Sequence, residues 1–276
     1  MSKKQFAVVI VYILFFVYLA WWLWMYLVIG EYSELNDYFT DTYGVLALVS
    51  AIFGMLVSKK WGFLKSYVGK AIFLISLGLF FQFLGQASYT FLYYVYGIEN
   101  AYPSFGEIFY LLSIPCYVIG VWFVGKSSGY DLTIRSTKNK IITYAMPAVL
   151  MFMSYYVFLN NYDFESSPLL NTFLDFFYPL GQASFLALAL MVLVKTSGLL
   201  GGIMRKRIWF ILASLIFQYF ADSLFIFENQ SGTWIPGGHS DVLFLTSYFL
   251  MGLSVLMFTG IEQDLGKHFG EINGKN

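Results

Sequence analysis

The chain holds a single cysteine, Cys116, so it can close no internal disulfide and build no cysteine-based zinc site. Charge is scarce too. Only 12% of the 276 residues are Asp, Glu, Lys or Arg, about half the share in a soluble domain. No basic tract is long enough to suggest nucleic acid as a partner. Of the two histidines, His268 lies near the C-terminus and His239 lies in a loop beside Asp241. With a third carboxylate that pair would suit a metal, but a loop histidine is usually just solvated. No metal and no cofactor is expected. A lysine in the middle of a late helix is missing, which excludes a retinal Schiff base. Gly-rich phosphate loops, nucleophile elbows and metalloprotease motifs are missing as well. Asn229-Gln230-Ser231 fits a glycosylation sequon, but its closeness to the membrane argues against use.

The most informative absence is positional. Hydrophobic runs separate short loops, and alternate loops contain no Lys or Arg at all. The 16 basic residues fall at Lys3 and Lys4, in 59–70, in 126–140, in 195–207, and at Lys267 and Lys275. The other loops carry Glu31, Glu34, Asp37, Asp41, Glu99, Asp163, Glu165 and Glu228. Basic loops stay cytoplasmic during insertion. The chain is therefore expected to cross the membrane an even number of times, with both termini inside.

What is present is apolar surface. Hydrophobic residues make up 59% of the chain and aromatic ones 21%. A helix needs roughly 20 apolar residues to span the hydrocarbon, and backbone groups cannot go unpaired there. Eight segments qualify: 6–29, 43–58, 71–94, 107–125, 141–160, 169–194, 208–228 and 239–261. The expected fold is an all-α integral membrane protein of the cell membrane. The second segment is short and is expected to tilt or lie partly in the interface. The first, 6–29, exceeds a signal-peptide core and reads as a retained helix. Trp21, Trp22 and Trp24 fall within it and read as lipid-facing or packing residues.

The two halves, 1–137 and 138–276, echo one another. Gln82 and Gln86 in the third helix match Gln218 and Asp222 in the seventh. Each leads to a proline-containing loop and an acidic residue opening the next helix, Glu107 or Asp241. Asp41-Thr42-Tyr43 echoes Asp175-Phe176-Phe177-Tyr178. Four helices per half imply a parallel repeat about an axis along the membrane normal.

Asp175, Tyr178 and Gln182 share one helical stripe. Asp175 and Asp222 both lie roughly 9 Å below the outer helix ends, with Gln86 at similar depth. An ionisable group at that depth faces the bundle or water. Asp175, Asp222, Gln86, Gln182, Tyr178, Glu107 and Asp241 are thus expected to form a polar cup that opens outward. Taken singly, Glu107 and Asp241 also suit plain helix N-caps, and the glutamines suit inter-helix packing. Below this layer the helices hold no Asp, Glu, His, Lys or Arg, which disfavours an ion path.

The segment Ala101-Tyr102-Pro103-Ser104-Phe105-Gly106-Glu107-Ile108-Phe109-Tyr110-Leu111 resembles a pattern found in multi-helix prokaryotic membrane sensor domains. Leu174-Asp175-Phe176-Phe177-Tyr178-Pro179-Leu180 and Phe220-Ala221-Asp222, followed by Gly232 to Asp241, are similar to other signatures of those domains. They precede diguanylate cyclase or histidine kinase modules. The resemblance implies a sensor. Gln86 and Gln182 depart from it, standing where Asp is expected. No output module follows the last helix, so the sensor is expected to signal through a cytoplasmic or membrane partner. The sequence thus points to a non-enzymatic receptor surrounded by membrane lipids, taking a small ligand or lipid from the outer side. The alternatives are a membrane lipid hydrolase using Asp175 and Asp222 as an acid–base pair, or a small-solute transporter.

Overall fold

A computed structural model describes residues 3–30, 32–98, 102–127, 145–154, 168–196 and 203–260, with isolated positions 141, 156 and 164. Every regular element among them is helical. Helix α1 (Lys3–Trp24) runs on through a π-helical turn, Met25–Ile29, and stops at Gly30, whose φ of 69° is left-handed. Then come α2 (Glu34–Thr42), α3 (Val45–Lys60), α4 (Tyr67–Tyr96), α5 (Gly106–Ser127), α6 (Met146–Ser154), α7 (Leu169–Thr196), α8 (Ile203–Gln230) and α9 (His239–Leu256).

Seven described segments are long and apolar enough to cross a membrane: Gln5–Ile29, Glu34–Lys60, Tyr67–Tyr96, Gly106–Ser127, Leu169–Val192, Trp209–Gln230 and His239–Thr259. The architecture is that of a multi-pass membrane protein. Most of the expected fifth helix, 141–160, lies outside the described residues; α6 is the helical part within them. The expectation of a short second helix is corrected. That span begins at Glu34 rather than residue 43, because α2 and α3 follow each other through a turn at Tyr43 and Gly44. At 30 residues, α4 is about 45 Å long and outruns the roughly 30 Å hydrocarbon. Exposed Tyr94 and Tyr96 at its end suit the aromatic belt of the interface.

The helices close into a ring. α4 packs between α3 and α5, α8 packs between α7 and α9, and the two triplets meet where α3 touches α9 and α5 touches α7. Outside the ring, α1 lies against α9 and α3, and α6 lies against α7. Small residues permit these approaches. A Cβ on Gly252 of α9 would collide with the Ser50 side chain of α3. The outer surface of α1 is apolar, with Ile13, Phe16, Val17 and Leu27 exposed, as lipid contact requires.

The two ends differ in charge. Lys59, Lys60, Lys65, Lys70, Lys126 and Arg207 are at one end, where Trp61 Nε1 donates to Phe258 O at 3.2 Å and Arg207 Nη2 to Met257 O at 2.9 Å. Glu34, Asp37 and Glu228 are at the other. There the loop before α9 is tied down by Asn36 Nδ2 donating to Pro236 O (3.2 Å) and Trp22 Nε1 donating to Gly237 O (3.0 Å). Trp22 therefore does more than face lipid or pack: it anchors this loop.

Candidate ligand-binding site

At the acidic end the ring encloses a cavity of about 130 Å³. Five of its six helices, all but α3, contribute, and Thr40 at the end of α2, Tyr43 in the turn before α3, and Tyr102 and Trp234 of the two loops complete the wall. Six of the seven residues expected in the polar cup line this one space: Gln86, Glu107, Tyr178, Gln182, Asp222 and Asp241. Asp175 is not on the wall. It is buried behind it, accepting from Tyr102 Oη at 2.5 Å and from Gln230 Nε2 at 3.4 Å. One helical turn separates Asp175 from Tyr178, and that turn carries the carboxylate past the rim.

The three carboxylates on the wall are held differently. Glu107, at the start of α5, accepts from the hydroxyls of Tyr89 on α4 and Tyr178 on α7. It is thus a cross-helix acceptor, and the amide of Gly106 is met by Ser104 Oγ (3.1 Å) instead. Asp241 combines both roles. Its Oδ2 accepts from Gly237 N at 2.9 Å and from Thr40 Oγ1 at 2.5 Å, and Tyr43 Oη lies 3.5 Å from its Oδ1. Asp222 accepts from two amides, Gln182 Nε2 and, at 3.4 Å, Gln218 Nε2.

Deeper in the ring, Gln82 Nε2 donates to Ser113 Oγ at 2.8 Å, and Ser247 Oγ donates to Gln218 Oε1 at 2.9 Å. Tyr248 Oη donates to Gln82 Oε1 at 3.0 Å. These bonds join neighbouring helices, the packing role open to glutamines in a bundle. Gln82 and Tyr248 also reach the cavity, but the other two wall glutamines differ. Gln86 and Gln182 are buried, and Oε1 of each accepts no hydrogen bond. Among the described residues Trp234 Nε1 also lacks a partner. Burial of Tyr102 and the adjacent Asp175 carboxylate push its phenol well above the ordinary tyrosine range, so it stays a donor.

Sequence reasoning missed most of the wall's aromatic content. Tyr110, Phe244 and Tyr248 all face the cavity. They follow Glu107 by three residues and Asp241 by three and seven, a helical stripe that would have found them. Asn229, noted only as a sequon, lies in the last turn of α8 and lines the cavity. His239 is exposed, edge-on to Trp22 and Tyr26. Among the described residues no group of three His, Cys, Asp or Glu could hold a metal.

No protein-family model, curated protein or solved structure matches the chain.

Proposed function

We propose that this protein is a receptor-like membrane module of the cell membrane that takes a small ligand from its acidic, outer side. The carrying observation is the cavity itself. Polar side chains from five of the six ring helices and from the α2–α3 turn converge on it, and buried apolar side chains lie beneath them. Ile75 and Leu79 of α4 and Leu215 of α8, one to two turns further toward the basic end, are fully buried. A closed floor suits a receptor better than a transporter. A hydrolase built on Asp175 and Asp222 would need both carboxylates on one cavity, and only Asp222 lines it.

Eight crossings with both termini cytoplasmic fit this reading. α5 ends at the basic end with Lys126, whereas α7 begins at the acidic end, where Tyr178 meets Glu107. The described part of the connection, α6, lies against α7, which agrees with a further crossing between these two ends. A parallel four-plus-four repeat has support in corresponding hydrogen bonds. Gln82–Ser113 links α4 to α5 as Gln218–Ser247 links α8 to α9. Tyr178–Glu107 links α7 to α5 as Tyr43–Asp241 links the turn before α3 to α9. Each residue matches its counterpart in the other half at nearly the same spacing. A sensor role, with signalling through a membrane or cytoplasmic partner, rests on the resemblance of the loop motifs.

The test is chemical access. Cys116 is replaced by Ser, and Asn229→Cys and Leu215→Cys are introduced separately. A membrane-impermeant thiol reagent is added to oriented vesicles from each side. Asn229→Cys should react only from the acidic side and Leu215→Cys from neither. Reaction of Leu215→Cys, or of Asn229→Cys from the basic side, would replace the receptor reading with a through-going path.

A further inference from the structure

The cavity's lining also bears on the kind of ligand it takes, an inference that rests on the reading of this cavity as a ligand site. We propose that it binds a small organic cation, an ammonium bearing N–H groups on a compact apolar body, held between the aromatic wall and the carboxylates of Glu107, Asp222 and Asp241.

Aromatic residues make up nine of the eighteen lining positions. They form continuous faces. Phe244 stacks on Tyr248 at 6.3 Å between centroids and Tyr248 on Tyr43 at 6.0 Å. On the loop side Phe225 meets Tyr102 at 5.8 Å and Trp234 at 6.1 Å. Such faces attract cations through their ring quadrupoles, and organic ammonium groups are bound in aromatic cages of this kind.

Charge points the same way. Three carboxylates line the cavity and, among the described residues, no Lys, Arg or His does. An anionic ligand would be repelled. A wholly apolar one would strip water from polar groups without replacing it. A bare metal ion lacks its ligand set among the described residues. The second observation is independent of the acids. Gln182 is 2% exposed, it donates to Asp222, and its Oε1 has no donor. On this wall residue an acceptor is unfilled, which an ammonium N–H group can fill and a carboxylate ligand cannot. Size sets the body. A cavity near 150 Å³ holds a benzene-sized guest, and this one is about 130 Å³.

The experiment uses the full chain in lipid nanodiscs and three probes of one shape: benzylammonium, benzyl alcohol and benzoate. Calorimetry gives affinities and melting gives stabilisation. Benzylammonium should bind at least tenfold more tightly than the other two. Asp222→Asn and Phe244→Leu should each weaken it about tenfold, while Val17→Ala, on the exposed outer surface of α1, leaves it unchanged. Equal binding of benzyl alcohol would overturn the cation proposal. So would failure of benzylammonium to bind, or undiminished binding in both Asp222→Asn and Phe244→Leu. Phe244→Leu removes no hydrogen bond, so it serves if Asp222→Asn does not fold. Reaction of Asn229→Cys from the acidic side alone, measured without any probe, tells whether the outward cavity survives such a failure.

Discussion

Tyr178 on α7 donates its hydroxyl to Oε2 of Glu107 at the start of α5. This one bond spans the seam between the two halves of the chain at the wall of the cavity. Across the opposite seam, Tyr43 in the turn before α3 points its hydroxyl at Asp241, the first-turn acid of α9. The two contacts differ in length, because Asp241 is already held by Thr40 and Gly237, whereas the second partner of Glu107 is another tyrosine, Tyr89.

That difference predicts unequal costs. A well-formed buried hydrogen bond contributes about 1 kcal/mol or more, whereas Tyr43 Oη stands 3.5 Å from Asp241 Oδ1, at the outer limit of such a bond. Tyr178→Phe should therefore lower the melting temperature of the detergent-solubilised protein more than Tyr43→Phe. In a double-mutant cycle, Tyr178→Phe and Glu107→Gln should couple. Additive effects would mean that the hydroxyl does not hold the carboxylate.

Reporter fusions test the crossing number. A fusion after Lys138 should report the cytoplasm and one after Asp163 the opposite compartment, since Lys126 and Leu169 begin and end the connection at opposite ends of the ring. Two fusions in the same compartment would remove the eighth crossing and, with it, the four-plus-four repeat.

A third prediction concerns Gly44. A Cβ at this position would fall on the side-chain amide of Gln86, whose Nε2 donates to Thr40 O and fixes the turn between α2 and α3. Gly44→Ala should destabilise by about 1–3 kcal/mol through overpacking. Gln86→Ala alone should also destabilise, but combined with Gly44→Ala it should recover stability, because the clashing amide is gone. Thermal melts of the three variants measure this. Failure of the second change to rescue the first would place the strain elsewhere.

Much of this site could be read from the chain. The carboxylates and glutamines stood out because polar groups are rare in apolar helices and expensive to bury there, and six of those expected on the wall do line it. The aromatic wall was hidden by abundance. With 21% of residues aromatic, residue type does not set Tyr110, Phe244 and Tyr248 apart from Tyr94 or Phe16, which face outward; only their helical spacing from Glu107 and Asp241 does. Helix bounds were legible where hydropathy changes sharply. The start of the second span was not, because Glu34, Asn36 and Asp37 made α2 look like loop although its face with Asn36 and Phe39 is buried. Asp175 was misjudged by depth. Depth is set by residue count along the axis, but side is set by rotation about it, and Asp175 turns toward Tyr102.

Asp222 allows the sharpest test of how the carboxylates are held. Its two oxygens accept from two amide donors, Gln182 Nε2 and Gln218 Nε2. Asn at this position keeps one acceptor and turns an N–H₂ toward the other amide. One donor then remains satisfied and one is lost. Leu keeps the approximate volume and satisfies neither, leaving two buried amides unpaired at about 1–3 kcal/mol each. Stability should fall in the order wild type, Asp222→Asn, Asp222→Leu. Gln182→Leu added to Asp222→Leu should recover part of the loss, because it removes one of the orphaned donors and leaves an apolar pair. The comparison is made by melting in the same detergent without ligand. If Asn and Leu are equally damaging, the amide donors are not what anchors Asp222. If the Gln182→Leu addition makes matters worse, Gln182 has a partner other than this carboxylate.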